Sequence, residues 1–207
     1  RTFRDRVQAN GGTIESGALE GLYDPVLSYS KDEGLYSDLV FFGAASAVED
    51  VSGSVATMFD SSGNQNDLGQ SSTAARPTLD TSLLGGQWGM AFDGVDDFLF
   101  STATRTLQPS TEIFSFRFHS GETIISSDGE RHLVRDNGGY SVFSGTDLVD
   151  GPMPSDATVG ASVVDGGSSR LRLSGVTQAT GDAGTDEEDG LVIASAEVIG
   201  KRYGEID

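Results

Sequence analysis

Short apolar segments alternate along the chain with clusters of Gly, Asp, Asn and Ser. Asp-Gly or Asn-Gly pairs stand at positions 93–94, 128–129, 137–138, 165–166 and 189–190, and such pairs between apolar segments are strong hairpin signals. The predicted strands are an apolar run of Leu35, Leu39, Val40, Phe41 and Phe42, then Val55–Phe59, Gly89–Phe92, Phe98–Phe100, Ile113–Phe118, Thr123–Ser126, Arg131–Arg135, Gly139–Phe143, Ala157–Val164, Ser169–Leu173 and Leu191–Ser195. Short strands at this spacing, with no fixed-period repeat, predict an all-β, two-sheet antiparallel sandwich.

The first twelve residues carry a different pattern. Phe3 and Val7 are four apart, and Asn10, Gly11 and Gly12 follow at once, which predicts a short helix with a glycine stop. Three of the 13 basic residues lie within the first six positions. We therefore expect residues 1–12 to form a helical arm and residues 13–207 to form the sandwich. The arm is either a frayed terminus or a subunit-docking element that uses Phe3, Arg4, Arg6 and Val7.

Two Asx- and Gly-rich stretches stand out as structural turns. Their residues tolerate positive φ or bond nearby backbone, and they are Asp60, Gly63, Asn64, Asn66, Asp67, Asp93, Gly94, Asp96 and Asp97. The same oxygens are of the kind that calcium prefers, as are those of Asp182–Asp189, although no stretch has the EF-hand spacing. No cofactor is expected, and calcium is kept as the alternative.

Composition excludes several classes of function. The 207 residues carry a formal net charge of −19, which repels a nucleic-acid backbone. There is no cysteine, so disulfides and thiolate sites are excluded, and the two histidines, His119 and His132, are isolated from each other. No stretch approaches the roughly 20 apolar residues that cross a bilayer. We therefore expect no nucleic-acid binding, no metal site based on cysteine or histidine and no membrane insertion.

Residues 58–100 hold two motifs in a fixed order. The first is the turn Asp60-Ser-Ser-Gly-Asn-Gln-Asn-Asp67, and the second is Phe92-Asp-Gly-Val-Asp-Asp-Phe-Leu99, with Ala75-Arg-Pro-Thr78 between them. Together they resemble laminin-G-like, concanavalin A-like lectin domains of tailed-phage virion proteins and bacterial surface proteins. The opening stretch Phe3–Val7 and Gly11–Glu15 is similar to the segment that often precedes this module in phage structural proteins. The resemblance implies a jelly-roll sandwich and a place in a virion.

Glycoside hydrolases share this fold type, and their chemistry needs a matched pair of carboxylates. Glu205-Ile206-Asp207 resembles the beginning of the glucanase Glu-x-Asp-x-x-Glu strand, but no complete copy occurs in the sequence. No Gly-x-Ser-x-Gly elbow, His-Glu-x-x-His helix or phosphate-binding lysine loop is present either. We therefore expect no catalytic residues and no enzymatic activity.

An aromatic ring beside polar groups is typical of sugar-binding sites, because a pyranose has one apolar side and a polar rim. The candidates for carbohydrate binding are Trp88, which is otherwise a core residue, and Tyr140 with Asp136 and Asn137. The expected function is a capsid decoration protein, head spike or tail-fibre module that forms a homo-oligomer, contacts other virion proteins and meets host surface glycan. The alternative is an adhesive or carbohydrate-binding module of a bacterial surface protein, located outside the cell.

Overall fold

The computed structural model describes residues 2–39, 41–82, 86–104, 108–117, 123–127, 131–132, 140–149, 158–185 and 189–195. In this part of the chain the fold is all-β, with strands in two antiparallel sheets and two short α-helices. The predicted fold class and the predicted N-terminal helix are confirmed. The chain divides into two compact units, Arg1–Phe92 with Leu99–Ser101, and Asp93–Phe98 with Thr102–Asp207.

Unit 1 begins with helices and continues with short strands. Its elements are α1 Phe3–Ala9, β1 Thr13–Ile14, a π-helix Leu19–Tyr23, α2 Asp24–Asp32, 3₁₀ turns Tyr36–Asp38 and Thr73–Ala75, β2 Ala47–Val51, β3 Ser54–Met58, β4 Leu68–Gly69, β5 Thr78–Asp80 and β6 Gly89–Ala91. The strand order is β1-β2-β3-β4, β5 joins β3 to β6, and β4 pairs with Phe100 of the following strand. Every pairing is antiparallel.

Helix α1 begins with a capping box and packs into unit 1. Thr2 caps it by accepting from the Asp5 backbone N–H, while the Asp5 carboxylate accepts from the Thr2 N–H, which forms a capping box. Val7 is fully buried, and the next turn ends at Gly12, whose N–H donates to the Val7 carbonyl at 2.9 Å. Helix α1 therefore packs as part of unit 1.

Unit 2 is a sandwich of two strand layers. Its strands are β7 Phe98–Thr104, which is shared with unit 1, β8 Ser110–Phe116, β9 Thr123–Ser127, β10 Arg131–His132, β11 Ser141–Ser144, β12 Asp147–Val149, β13 Thr158–Val164, β14 Ser169–Leu173, β15 Val176–Gly181 and β16 Asp189–Ser195. One layer has the order β16-β9-β10-β11-β12 and the other β15-β14-β13-β8. Tyr140 and Val142 from the first layer pack against Val164 and Leu171 from the second.

The hairpin predicted at residues 165–167 is confirmed. β13 and β14 are antiparallel neighbours, and Gly166 between them has φ +46°. The Asp-Gly pair at 189–190 was predicted as a turn, and that prediction is wrong, because β16 already begins at Asp189. Helix α2 was not predicted at all.

The apolar run that ends at Phe42 was predicted as a buried strand, and that prediction is also wrong. Tyr36–Asp38 is a 3₁₀ turn, and the residues from Phe41 to Ala44 are irregular. The Phe42 N–H donates to the Asp60 carboxylate at 2.9 Å, and the Phe42 carbonyl accepts from the Ser61 N–H at 2.8 Å. Because turn groups satisfy this backbone, it does not need a neighbouring strand.

Candidate functional site

The Asp60 carboxylate is the centre of the first Asx-rich turn. It is 1% exposed, and it accepts hydrogen bonds from the backbone N–H groups of Phe42, Ser62 and Asn66 at 2.8–2.9 Å. The Ser62 hydroxyl donates a fourth bond at 2.7 Å. Four donors therefore converge on one buried carboxylate, which ties two points of the turn to the backbone of Phe42.

Asp67 closes the same turn from its other end. Its carboxylate accepts from the Asp60 N–H at 2.8 Å and from the Arg6 guanidinium at 2.6 Å. The Arg6 guanidinium also donates to the Asp60 carbonyl and lies 5.7 Å from the ring centres of Phe3 and Phe59. Helix α1 is thereby tied to the turn by a part-buried ion pair.

The other turn residues have local partners as well. Gly63 has φ +99°, a conformation that a side chain would strain. The Asn64 side-chain amide donates to the Leu39 carbonyl at 2.7 Å, and the Asn66 backbone donates to Asp60. Since the carboxylates at 60 and 67 are already surrounded by N–H and O–H donors, this cluster does not fit a calcium ion, which would have to displace them.

The second turn gathers three carboxylates. Oxygens of Asp93, Asp96 and Asp97 lie within 4.8 Å of one another. Asp93 accepts from the Val95 N–H at 2.8 Å, and Asp97 accepts from the Asp93 N–H at 2.9 Å. Gly94 has φ +80° and supplies the bend. This geometry forms a tight Asx turn whose exposed carboxylates are of the kind that calcium prefers.

Asp97 differs from its two neighbours in burial. It is 5% exposed, whereas Asp93 and Asp96 are exposed. Burial raises the pKa of Asp97, the Asp93 backbone N–H opposes this rise, and the charges of Asp93 and Asp96 add to it. A carboxyl with a raised pKa beside ionised carboxylates also occurs in acid catalysts. In this chain the buried Asp97 carboxylate accepts a hydrogen bond from the backbone of its own turn, at Asp93.

The third acidic stretch is described only in part. The exposed Asp182 accepts a hydrogen bond from the Gly184 N–H at 2.8 Å, which makes it another local turn residue. Residues 186–188 lie outside the described residues, and Asp189 begins β16.

The predicted carbohydrate residues have different surroundings. Tyr140 is fully buried, and its hydroxyl donates to the Arg172 carbonyl at 3.1 Å, so its prediction as a sugar platform is wrong. Burial raises the pKa of Tyr140. Asp136 and Asn137, its predicted partners, lie outside the described residues. Trp88 belongs to unit 1 and is half-buried.

Sequence reasoning missed the acidic neighbour of Trp88. The Glu15 carboxylate accepts a hydrogen bond from the Trp88 backbone N–H at 3.3 Å, although 73 residues separate the two in sequence. No local motif signals this pair, because only the folding of unit 1 brings the two residues together. The carbohydrate-binding role of Trp88 stays a prediction, and the structure adds Glu15 as its acidic neighbour.

The predicted docking residues are used largely within unit 1. Val7 is buried, Arg6 is paired with Asp67, and the Phe3 ring lies 5.0 Å from the Tyr23 ring. Val7 is therefore unavailable for docking, and the docking of Phe3 and Arg6 on a neighbouring subunit stays a prediction. Arg4 is 56% exposed, with its guanidinium 3.9 Å from Glu20, and it keeps a free outward surface.

Comparisons with known proteins give little further. No protein-family model matches the sequence, and no curated protein does. Among solved structures, the chain is similar to a mutant GH54 α-L-arabinofuranosidase soaked with 4-nitrophenyl α-L-arabinofuranoside, with TM-score 0.45 and 12% identity over 72% of this chain. The match covers 45% of that protein's chain. Within the described residues, none of the helices combines the length and apolar character needed to traverse a bilayer.

Proposed function

We propose that this chain is a non-enzymatic structural component of the virion of a tailed phage or phage-like particle. It serves as a capsid decoration protein, head spike or tail-fibre module. We propose a virion location because residues 58–100 resemble domains of phage virion proteins. The observation that carries the structural role is Asp60, a buried motif acid whose carboxylate accepts four hydrogen bonds from the chain itself.

The non-enzymatic part of the proposal rests on how the motif acids are engaged. A glycosidase needs two carboxyl groups that flank a bound sugar, about 5–5.5 Å apart in retaining enzymes. Asp60 and Asp67 face backbone N–H groups and Arg6, and the buried Asp97 accepts from the backbone of Asp93. These contacts favour a role for the acids in shaping turns over a role in reacting with a substrate.

Immunogold electron microscopy tests the virion role directly. An antibody raised against the chain should label particles released from cells that carry the gene. Particles purified on a density gradient should contain the chain in a fixed ratio to the major capsid protein. Label confined to the cell envelope, with none on particles, would reject the virion role and favour the bacterial surface module.

A second function, glycan recognition by a surface or virion module, is favoured by Trp88. Trp88 is half-buried and its backbone N–H donates to the Glu15 carboxylate, so an aromatic residue and an acid are neighbours in unit 1. On a glycan array, Trp88→Ala should lose at least about tenfold in binding, since stacked aromatic anchors dominate such contacts. The matched control is Tyr29→Ala, which removes an aromatic ring that is 62% exposed. Equal binding by both variants, or none by the unaltered chain, would contradict glycan recognition at Trp88.

A further inference from the structure

One face of the layer β15-β14-β13-β8 in unit 2 points away from the sandwich core. Along β13, positions 158, 160, 162 and 164 are buried, and the positions between them are more exposed. The register places Ile113 opposite Ala161 and Ala161 opposite Arg172, while Val163 lies opposite Arg170. Directly paired residues project to the same side of a sheet. We call the side that carries Ile113, Val159, Ala161, Val163, Arg170 and Arg172 the outer face.

The centre of the outer face is apolar and exposed. Ile113 is 74% exposed and Val159 is 49% exposed, and Ala161 and Val163 continue the row along β13. Thr111 and Ser115 flank Ile113 on β8. Covering a large β-branched side chain that is exposed to this degree with another surface lowers the free energy of the system.

Among the residues that the structure describes on these four strands, no acidic side chain lies on the outer face. Strands β13, β14 and β15 contain no Asp or Glu, and the acidic residue of β8 is Glu112, which lies on the core side and accepts from the Ser162 hydroxyl at 3.1 Å. This is notable in a chain with 32 acidic and 13 basic residues.

Three exposed arginines border the apolar centre. Arg170 and Arg172 lie on β14, and Arg117 follows β8 in the same alternation as Ile113 and Ser115. None of the three forms an ion pair with any residue that the structure describes. Arg172 donates to the Thr177 hydroxyl at 3.2 Å, which still leaves guanidinium N–H groups for another acceptor.

We propose that the outer face binds a carboxylate-rich surface of a second copy of this chain, in a head-to-tail contact. Guanidinium groups pair well with carboxylates, and the net charge of −19 means that every copy presents them. Two such copies repel each other least where one of them offers a surface without acids. The contact is heterologous, so it closes a ring or extends a chain of copies. It follows from the outer face alone and holds for a virion protein and a surface module alike.

Sedimentation velocity of the full chain tests this contact at physiological ionic strength. The unaltered chain should show association that increases with protein concentration. Arg170→Glu should weaken the association constant by at least about tenfold, because it places like charges across the contact. Its control is Lys31→Glu, which changes the net charge by the same amount at an exposed position of α2 and should leave association unchanged.

Two further variants separate the apolar contribution from charge. Ile113→Asp and the milder Ile113→Thr should both weaken association, and Val51→Asp, at an exposed strand position of unit 1, should not. Far-ultraviolet circular dichroism identifies any variant that fails to fold, and Ile113→Thr, which suits a strand, then decides. A monomer at every concentration, or Arg170→Glu and Ile113→Thr that associate like the unaltered chain, would overturn the proposal.

Discussion

The Asp97 carboxyl accepts a hydrogen bond that closes its turn, and its burial lowers the stability of the folded state. Burial raises its pKa, so the folded state holds the Asp97 proton more tightly than the unfolded state does. Stability from this group is therefore fully present below the unfolded pKa and is lost as the pH rises through the folded pKa. At neutral pH, which lies above the unfolded pKa, the raised pKa of Asp97 therefore reduces the free energy of unfolding.

Asp97→Asn should remove this pH dependence. An amide oxygen can still accept the Asp93 N–H, and it carries no charge to bury. In urea unfolding, we expect the variant to match the unaltered chain in acid and to exceed it at pH 7. Asp32→Asn, at the exposed end of α2, controls for the loss of one negative charge. A stability difference that is the same at both pH values would show that Asp97 is not the titrating group.

At the scale of elements, the attachment of α1 depends on close packing at Gly12. A Cβ at this position would meet the Phe59 ring and lie 2.8 Å from the Val7 side chain, and both side chains are buried. Gly12→Ala should therefore lower the free energy of unfolding by about 1–3 kcal/mol, the usual cost of overpacking. Urea unfolding followed by circular dichroism measures it.

Gly21→Ala is the matched control for Gly12→Ala. Gly21 lies in the π-helix, and a Cβ there meets nothing within 4 Å. Alanine should leave stability unchanged or raise it by less than about 1 kcal/mol. If both variants unfold alike, α1 does not pack against Phe59 as described.

The elements differ in how far the sequence could predict them. β14 was predicted at its observed bounds, Ser169–Leu173, because its alternation matches one buried face, and α1 was predicted from its spacing and its glycine stop. The two-residue strand Leu68–Gly69 was missed, because two residues carry no periodicity. The run ending at Phe42 looked like a strand, since nothing local shows that Asp60 satisfies its backbone.

The candidate site was only partly predictable for the same reason. Asx and Gly composition identified both turns, since these residues act on neighbouring backbone. The pairing of Arg6 with Asp67 and the approach of Glu15 to Trp88 join residues 61 and 73 positions apart. Such contacts depend on tertiary packing, which a single sequence does not display. The burial of Tyr140 was missed because a ring of this kind suits a core as well as a binding surface.

At the scale of the whole molecule, the chain carries a large negative charge. Some of its carboxylates accept backbone hydrogen bonds that hold turns in place. Self-repulsion at a net charge of −19 opposes compaction, and salt screens it. Buried acids such as Asp60 are stabilised by N–H donors instead of counter-ions. The motif acids Asp60 and Asp67 therefore serve as acceptors for backbone N–H groups of the chain itself.

Differential scanning calorimetry of the unaltered chain and Asp60→Ala, each in calcium and in EDTA, tests this most directly. Removing the carboxylate leaves three N–H groups and one hydroxyl without their acceptor, so we expect a loss of about 3 kcal/mol or more, or about 10 °C in Tm. The loss should be equal in both buffers, and calcium should not shift the Tm of the unaltered chain. A calcium-dependent rise in Tm that Asp60→Ala abolishes, or an Asp60→Ala variant as stable as the unaltered chain, would contradict the account.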